Sequence, residues 1–300
     1  MDGTNGKIEI FKPFGEAFEL TKKILFQPFN FEKWLVVGFA AFLTHLNGGG
    51  FNLNFPFGGN WNASQSEQQS IESFWNQLAP VWIALIAAMI LFVFAIVIML
   101  TWIRSRGLFI FIDCIVQNRG AIVEPWKEYR REGNSYFLFS LCFFFCLLAS
   151  IAAIGLVVVL PIILINPSEH GAIAFLPLAS LIVILPALLL FLALVQFVAP
   201  VMYRRRWTAW PAVIDLLSLI GANLGVFILY VLFTLVLGIA IGIAMVIAMC
   251  LTCCIAALPY VGTVIFLPIY VFLQSFSFLF LRQFGADYDV WAAVPPPLPS

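Results

Sequence analysis

Six long apolar stretches with no acidic residue at their centres limit what this chain can fold into more than any motif does. They run approximately over 31–46, 80–103, 136–165, 172–203, 223–250 and 259–281. A bilayer span takes about 20 apolar residues, and helices are the open-ended elements that satisfy every backbone group inside hydrocarbon. Five of the stretches are long enough to cross unaided. The first is short, since its sixteen residues rise only about 24 Å against a hydrocarbon core of about 30 Å. Composition agrees with this pattern. Hydrophobic residues make up 63% of the 300 and charged ones 10%, whereas soluble domains carry about 45–50% and 25%. An ordinary soluble domain, a disordered chain, collagen and a disulfide scaffold are thereby excluded. Fifteen Lys and Arg against fifteen Asp and Glu leave no basic field for nucleic acid.

Charge placement predicts the topology. Five cations lie in the N-terminal arm (Lys7, Lys12, Lys22, Lys23, Lys33) and six in 104–135 (Arg104, Arg106, Arg119, Lys127, Arg130, Arg131). Three more lie in 204–222 (Arg204, Arg205, Arg206), and the tail holds Arg282. The connectors 47–79, 166–171 and 251–258 hold none. All fifteen cations fall on one side if every stretch crosses, and cytoplasmic loops are the ones enriched in Lys and Arg. The expected architecture is therefore all-α: an integral membrane bundle of six transmembrane helices with cytoplasmic interfacial amphipathic helices. It divides into an arm over 1–30, a membrane domain over 31–281 and a Pro-rich tail over 282–300. Both termini are expected in the cytoplasm, and the expected location is a bacterial inner membrane. No signal-peptide pattern opens the chain, so the first span is expected to act as its own targeting signal.

One arrangement recurs on the cytoplasmic side: an amphipathic helix, an Asn, then a span. In the first copy Phe14, Ala17, Phe18, Thr21, Ile24 and Leu25 share a helical face, opposite Glu16, Glu19, Lys22 and Lys23, and Asn30 follows. In the second, Pro125 opens a short helix with Trp126 and Tyr129 on one side and Lys127, Arg130 and Arg131 on the other, before Asn134. The third runs from Arg204–Arg206, Trp207 and Trp210 through Val213, Ile214 and Leu217 to Asn223. Such helices suit the headgroup layer, Trp and Tyr favour that depth, and each basic residue near anionic lipid gains about 1 kcal/mol. Lys22, Lys23, Arg130, Arg131, Arg204, Arg205, Arg206, Trp207 and Trp210 are the candidate contacts to anionic lipid headgroups or to another membrane protein. The simpler alternative is that these helices only anchor the spans that follow.

The repeated pattern, with the run LRQFGADYDVW over 281–291, resembles the membrane domain that accompanies some glycerophosphodiester phosphodiesterases and related uncharacterised multi-pass proteins. That resemblance implies a fold and no activity, because nothing here corresponds to the soluble catalytic domain of those enzymes.

The Gly-, Asn- and Phe-rich connector after residue 46, with Phe51, Phe55, Phe57 and Trp61, is expected to pack on the outer membrane surface or to cap a vestibule. No phosphate loop, HExxH, GxSxG or GxGxxG occurs. His45 and His170, with Glu67, Glu72 and Glu169, could form an external acid/base or metal cluster, but nothing forces them together. No enzyme activity and no cofactor is expected. Cys142 and Cys146 read as small packing residues, and Cys250 with Cys253 as a C-x-x-C without a basic neighbour. Gly221/Gly225 and Gly238/Gly242 are spaced for close helix approach. Gln196, Tyr230 and Gln274 are the notable polar residues of the spans, and Asp113 and Asp215 are expected to pair with nearby Arg. A non-enzymatic lipid- or partner-contacting module is the reading these features favour. A transporter or channel subunit for an apolar or lipid-like cargo is its alternative.

Overall fold

The computed structural model describes residues 8–46, 80–164, 194–252 and 258–292. These form helices joined by turns, with no strand among the described residues. In chain order they are α1 (Phe11–Phe26), α2 (Phe31–His45), α3 (Pro80–Val116), α4 (Val123–Glu128), α5 (Arg130–Leu164) and α6 (194–205). Then follow α7 (Ala209–Ala222), α8 (Leu224–Leu251), α9 (Pro259–Ile265), α10 (Leu267–Arg282) and a 3-10 turn (Ala286–Tyr288). Most of the fourth apolar stretch, the glycine-rich connector, His170, Glu67, Glu72, Glu169, Cys253 and the VPPPLPS end lie outside the described residues.

α3 explains the architecture. Its 37 residues make a rod of about 55 Å, nearly twice the thickness of a hydrocarbon core. The two halves have opposite surroundings. Residues 84–97 are exposed on every side, while from Ser105 to Val116 only Leu108 escapes full burial. The same division recurs in α8, where no residue beyond Val231 is buried, and in α10, which is buried from Ser275 to Leu281. The molecule thus has one densely packed end, from which long apolar stems project. Among the described residues two helices are long and apolar enough to cross a membrane, Ala84–Val116 and Leu224–Leu251.

Within the packed end α2 runs antiparallel to the buried half of α3. A Cβ placed on Gly107 would fall 2.5 Å from Leu43 Cβ, and one on Gly120 would fall 3.2 Å from Lys33 Cα. The 31–46 stretch is therefore level with 104–120 and not with 80–103. Charge sorting places a boundary at Arg104; the fold carries the helix straight through it, and Gly107 lets α2 close against α3. Asn30 caps α2, its Oδ1 accepting from Lys33 N at 3.2 Å. Trp34 Nε1 donates to Val264 O (3.2 Å) and Tyr260 OH to Leu35 O (3.2 Å), which ties α9 across the same helix.

The three amphipathic copies meet different fates. α1 forms, and its inner residues Ala17, Thr21, Ile24 and Leu25 are buried. They face α10 and its neighbours, with Phe14 edge-on to Phe272 at 5.2 Å, so protein and not acyl chain covers that face. In the second copy α4 stops at Glu128 and α5 starts at Arg130. Asn134 consequently lies inside a helix, and it is no cap. In the third copy α7 ends at Asn223, whose backbone N–H bonds to Leu219 O and Ile220 O. α7 is apolar on two sides: Ala212, Val213, Leu216 and Ile220 pack inward, while Trp210, Ile214 and Leu217 face outward. Ser135 Oγ accepts from Ala209 N at 2.9 Å, satisfying one of the free donors at its start.

Candidate functional site

All four cation-bearing segments meet at the packed end. Lys33 Nζ donates to Asn118 Oδ1 at 2.6 Å, which joins the N-terminal arm to the segment after α3. Arg206 pairs with Glu128, and its second terminal nitrogen lies 3.7 Å from Glu132, which joins 204–222 to α4 and α5. Arg282 reaches Glu16 at 2.6 Å, closing the last helix onto the first.

At the centre is Asp113, 1% exposed and held by three groups. Tyr203 OH donates to its Oδ1 at 3.0 Å, and Arg119 Nε and a terminal Arg119 nitrogen lie 3.2 and 3.1 Å from Oδ2. Burial pushes the Asp113 carboxyl above the ordinary carboxylate range, with the Tyr203 hydrogen bond and Arg119 pulling it down. Tyr203 stacks on Tyr129 with ring centroids 4.8 Å apart, and the Arg206 guanidinium lies 4.0 Å above the opposite partner of that stack, Tyr129. Burial pushes the Tyr129 phenol up to about 12, so it stays a neutral hydroxyl. These pairings, with those of Arg206 to Glu128 and Glu132, make the cluster a clasp between α3, α4, α5 and α6.

A second clasp lies beside it. Arg106 is held between Trp102 and Trp126 at 4.8 and 4.9 Å from the ring centroids, and its Nε donates to Asn134 Oδ1 at 3.3 Å. The same oxygen accepts from Trp102 Nε1 at 3.1 Å. This is the work Asn134 does in place of capping. A third forms around Arg205, with Asp215 at 3.5 Å, Asp287 at 3.6 Å and the Trp207 and Tyr288 rings at 4.6 and 5.0 Å. Tyr288 OH donates to Asp215 Oδ2 at 2.8 Å, and Trp291 lies edge-on to Phe278. The run after α10 is thereby fastened to the body, and a free tail cannot begin before residue 293.

The candidate contacts divide accordingly. Arg205, Arg206 and Trp207 are taken up by partners within the chain, because acids and rings from neighbouring helices reach them before any headgroup could. Arg204 is half-buried. Lys22, Lys23, Arg130 and Arg131 are exposed, and Trp210 is 71% exposed. The pairings expected for Asp113 and Asp215 are present. Gln196 and Tyr230 come together as well: Gln196 Nε2 donates to Tyr230 OH at 3.0 Å and to Ser277 Oγ at 2.5 Å. Cys142 and Cys146 lie exposed on α5, so they fill no core. A Cβ on Gly221, Gly225, Gly238 or Gly242 would meet nothing within 4 Å, so no described helix packs closely there. His45 is a satisfied residue at the end of α2, with Nδ1 donating to Ala41 O at 2.7 Å and its ring 4.3 Å from Tyr270.

Reasoning from sequence missed Cys114. It is buried one residue from Asp113, and burial pushes its thiol up to about 11. A thiolate is needed for attack on a maleimide. In the folded protein at pH 7.5, Cys114 should therefore remain unmodified over an hour and react only after denaturation. Peptide mass mapping reads this directly, and rapid native labelling would contradict the packing.

An all-helical protein with a packed cationic end and two helices of membrane-crossing length and composition is the class these features define. The chain belongs to DUF7544, a family of unknown function whose profile matches residues 9–281. No curated protein and no solved structure matches it.

Proposed function

We propose that this is a non-enzymatic, multi-pass protein of a bacterial cytoplasmic membrane. Its long apolar stretches cross the bilayer, while the first, 31–46, lies with the packed cationic end on the cytoplasmic side in contact with anionic lipid or a partner protein. The observation that carries this reading is the meeting of the N-terminal arm, 104–135, 204–222 and the segment after α10 at one end. Those are the segments that charge sorting assigns to one compartment. The stems support it too, since the apolar window of α3 has none of its residues buried and that of α8 only 6%. Apolar faces of that extent are covered by lipid or by protein, not by water. Exposed Lys22, Lys23, Arg130, Arg131 and Trp210 are the contacts this reading retains.

Cysteine accessibility tests it. In chains whose other cysteines are replaced by alanine, Lys23→Cys, Lys127→Cys and Ser218→Cys should refuse a membrane-impermeant maleimide in intact cells. Asn76→Cys, just before α3, should accept it. Labelling of Asn76→Cys and Ser218→Cys from the same side would remove the crossing by α3. Release of the protein from membranes by alkaline carbonate would remove the membrane assignment itself.

A further inference from the structure

A groove of about 410 Å³ opens between α3, α5 and α6, a volume within the about 300–1,000 Å³ usual for small-molecule sites. Its two ends differ in chemistry. At one end Phe94 and Val97 of α3 face Phe144 of α5; at the other stand Arg104, Ser105 and Tyr136. Arg104 differs from the arginines of the clasps. Arg119, Arg205, Arg206 and Arg282 each have an acidic partner, and Arg106 is held between two indoles. Arg104 donates from Nε to Thr44 O at 3.0 Å, and no acid pairs with it among the described residues. Its guanidinium is thus fixed at one nitrogen, with no acid beside its charge, among the polar lining residues Thr101, Ser105, Tyr136 and Ser140. A cation in low-dielectric surroundings is stabilised by an anion, and a fixed guanidinium holds a phosphate oxygen through directed N–H donors.

We infer that this groove is a binding site for one anionic phospholipid, the phosphate held by Arg104 and one acyl chain lying along the wall from Val97 to Phe94. This rests on the membrane reading above and extends it from general lipid contact to a defined site. The occupant follows from charge complementarity at one end and from the apolar wall at the other. A zwitterionic lipid offers a phosphate already balanced by its own ammonium and would leave the charge of Arg104 uncompensated, and a free phosphate would leave the apolar wall uncovered.

Native mass spectrometry of the full-length protein tests the site, after delipidation in neutral detergent and titration with dioleoyl-phosphatidylglycerol or dioleoyl-phosphatidylcholine. The wild type should retain one phosphatidylglycerol at concentrations where phosphatidylcholine is not retained. Arg104→Gln should weaken retention about tenfold, the size of one lost charge-assisted contact. Arg104→Lys should recover much of it, and the Lys variant distinguishes loss of charge from loss of fold. Val97→Trp, which fills the apolar wall, should weaken retention with the charge intact, while Lys12→Gln, at an exposed cation outside the groove, should leave it unchanged. Equal retention of the two lipids, equal retention by wild type and Arg104→Gln, or displacement by inorganic phosphate alone would overturn the site. An intact membrane protein that retains no lipid would also overturn it, as another segment of the chain would then cover the groove. Release by carbonate remains the separate signature of failure of the membrane reading.

Discussion

Gly107→Leu should lower the apparent melting temperature of the detergent-solubilised protein more than any other single change at a glycine. Gly107 sits where α2 and α3 cross, and its missing side chain is what allows the crossing. An added Cβ would lie 2.5 Å from Leu43 Cβ and 3.1 Å from the Leu43 main-chain carbon. Neither atom can swing aside as the tip of a flexible side chain could. Interiors are packed to crystal density, so the two helices must part, and overpacking of this kind costs about 3 kcal/mol. Leu43→Ala in the same chain should restore little, because the obstructing atoms belong to Cβ and the main chain. Gly221, Gly225, Gly238 and Gly242 provide the contrast. A Cβ there meets nothing within 4 Å, and alanine in a helix is favoured over glycine by about 1 kcal/mol. Alanine at those four positions should leave the melting temperature unchanged or raise it. A Gly107→Leu protein that melts with the wild type would show that α2 and α3 are not in contact here.

Asp113 should be the residue whose removal most weakens the clasp at the packed end. Asp113→Ala leaves the Tyr203 hydroxyl without its acceptor in a buried setting, a loss of about 2–3 kcal/mol. Asp113→Asn keeps an oxygen for Tyr203 and removes only the charge. Arg119, 39% exposed, can then turn to water, so the expected cost is under about 1 kcal/mol. The two variants differ further in their response to pH. Burial holds the Asp113 carboxyl above its ordinary value, so its contribution is fully present below the unfolded pKa of about 3.9. That contribution declines as pH rises through the folded value. Asparagine does not titrate. Stability of Asp113→Asn relative to wild type should therefore improve as pH is raised from about 4, as followed by thermal melts in a pH series. A difference that stays flat or falls would mean that Arg119 and Tyr203 outweigh the cost of burial.

Much of the helical pattern was legible because it rests on local chemistry. The apolar runs at 80–103 and 223–250 could only be long helices, and α1 follows from the face shared by Phe14, Ala17, Thr21, Ile24 and Leu25. What sequence reasoning could not reach was pairing. Phe109 to Val116 is as apolar as a span, yet it sits inside the packed end because α2, α4 and α6 surround it, a fact fixed by distant segments. Ala17, Thr21, Ile24 and Leu25 form the same stripe whether a helix lies on lipid or on α10, and periodicity does not distinguish the two. Arg104 and Arg119 look alike in a charge count. They differ only because Asp113 folds back onto one and the other faces a groove. A clue available in advance was the placement of Asp113 and Asp215 in the same cation-bearing segments as Arg119 and Arg205, and it correctly indicated intramolecular pairing.

Fastening of Arg119, Arg205 and Arg206 to acids inside the protein separates two moments in the life of the same side chains. Orientation by positive charge is decided while a chain is entering the bilayer, when tertiary partners do not yet exist. A guanidinium that first votes on which way a hairpin is threaded can afterwards be withdrawn from the surface and set to work as a rivet. In the proposed topology, tallies of exposed charge on the mature molecule would therefore understate the bias that directs its assembly.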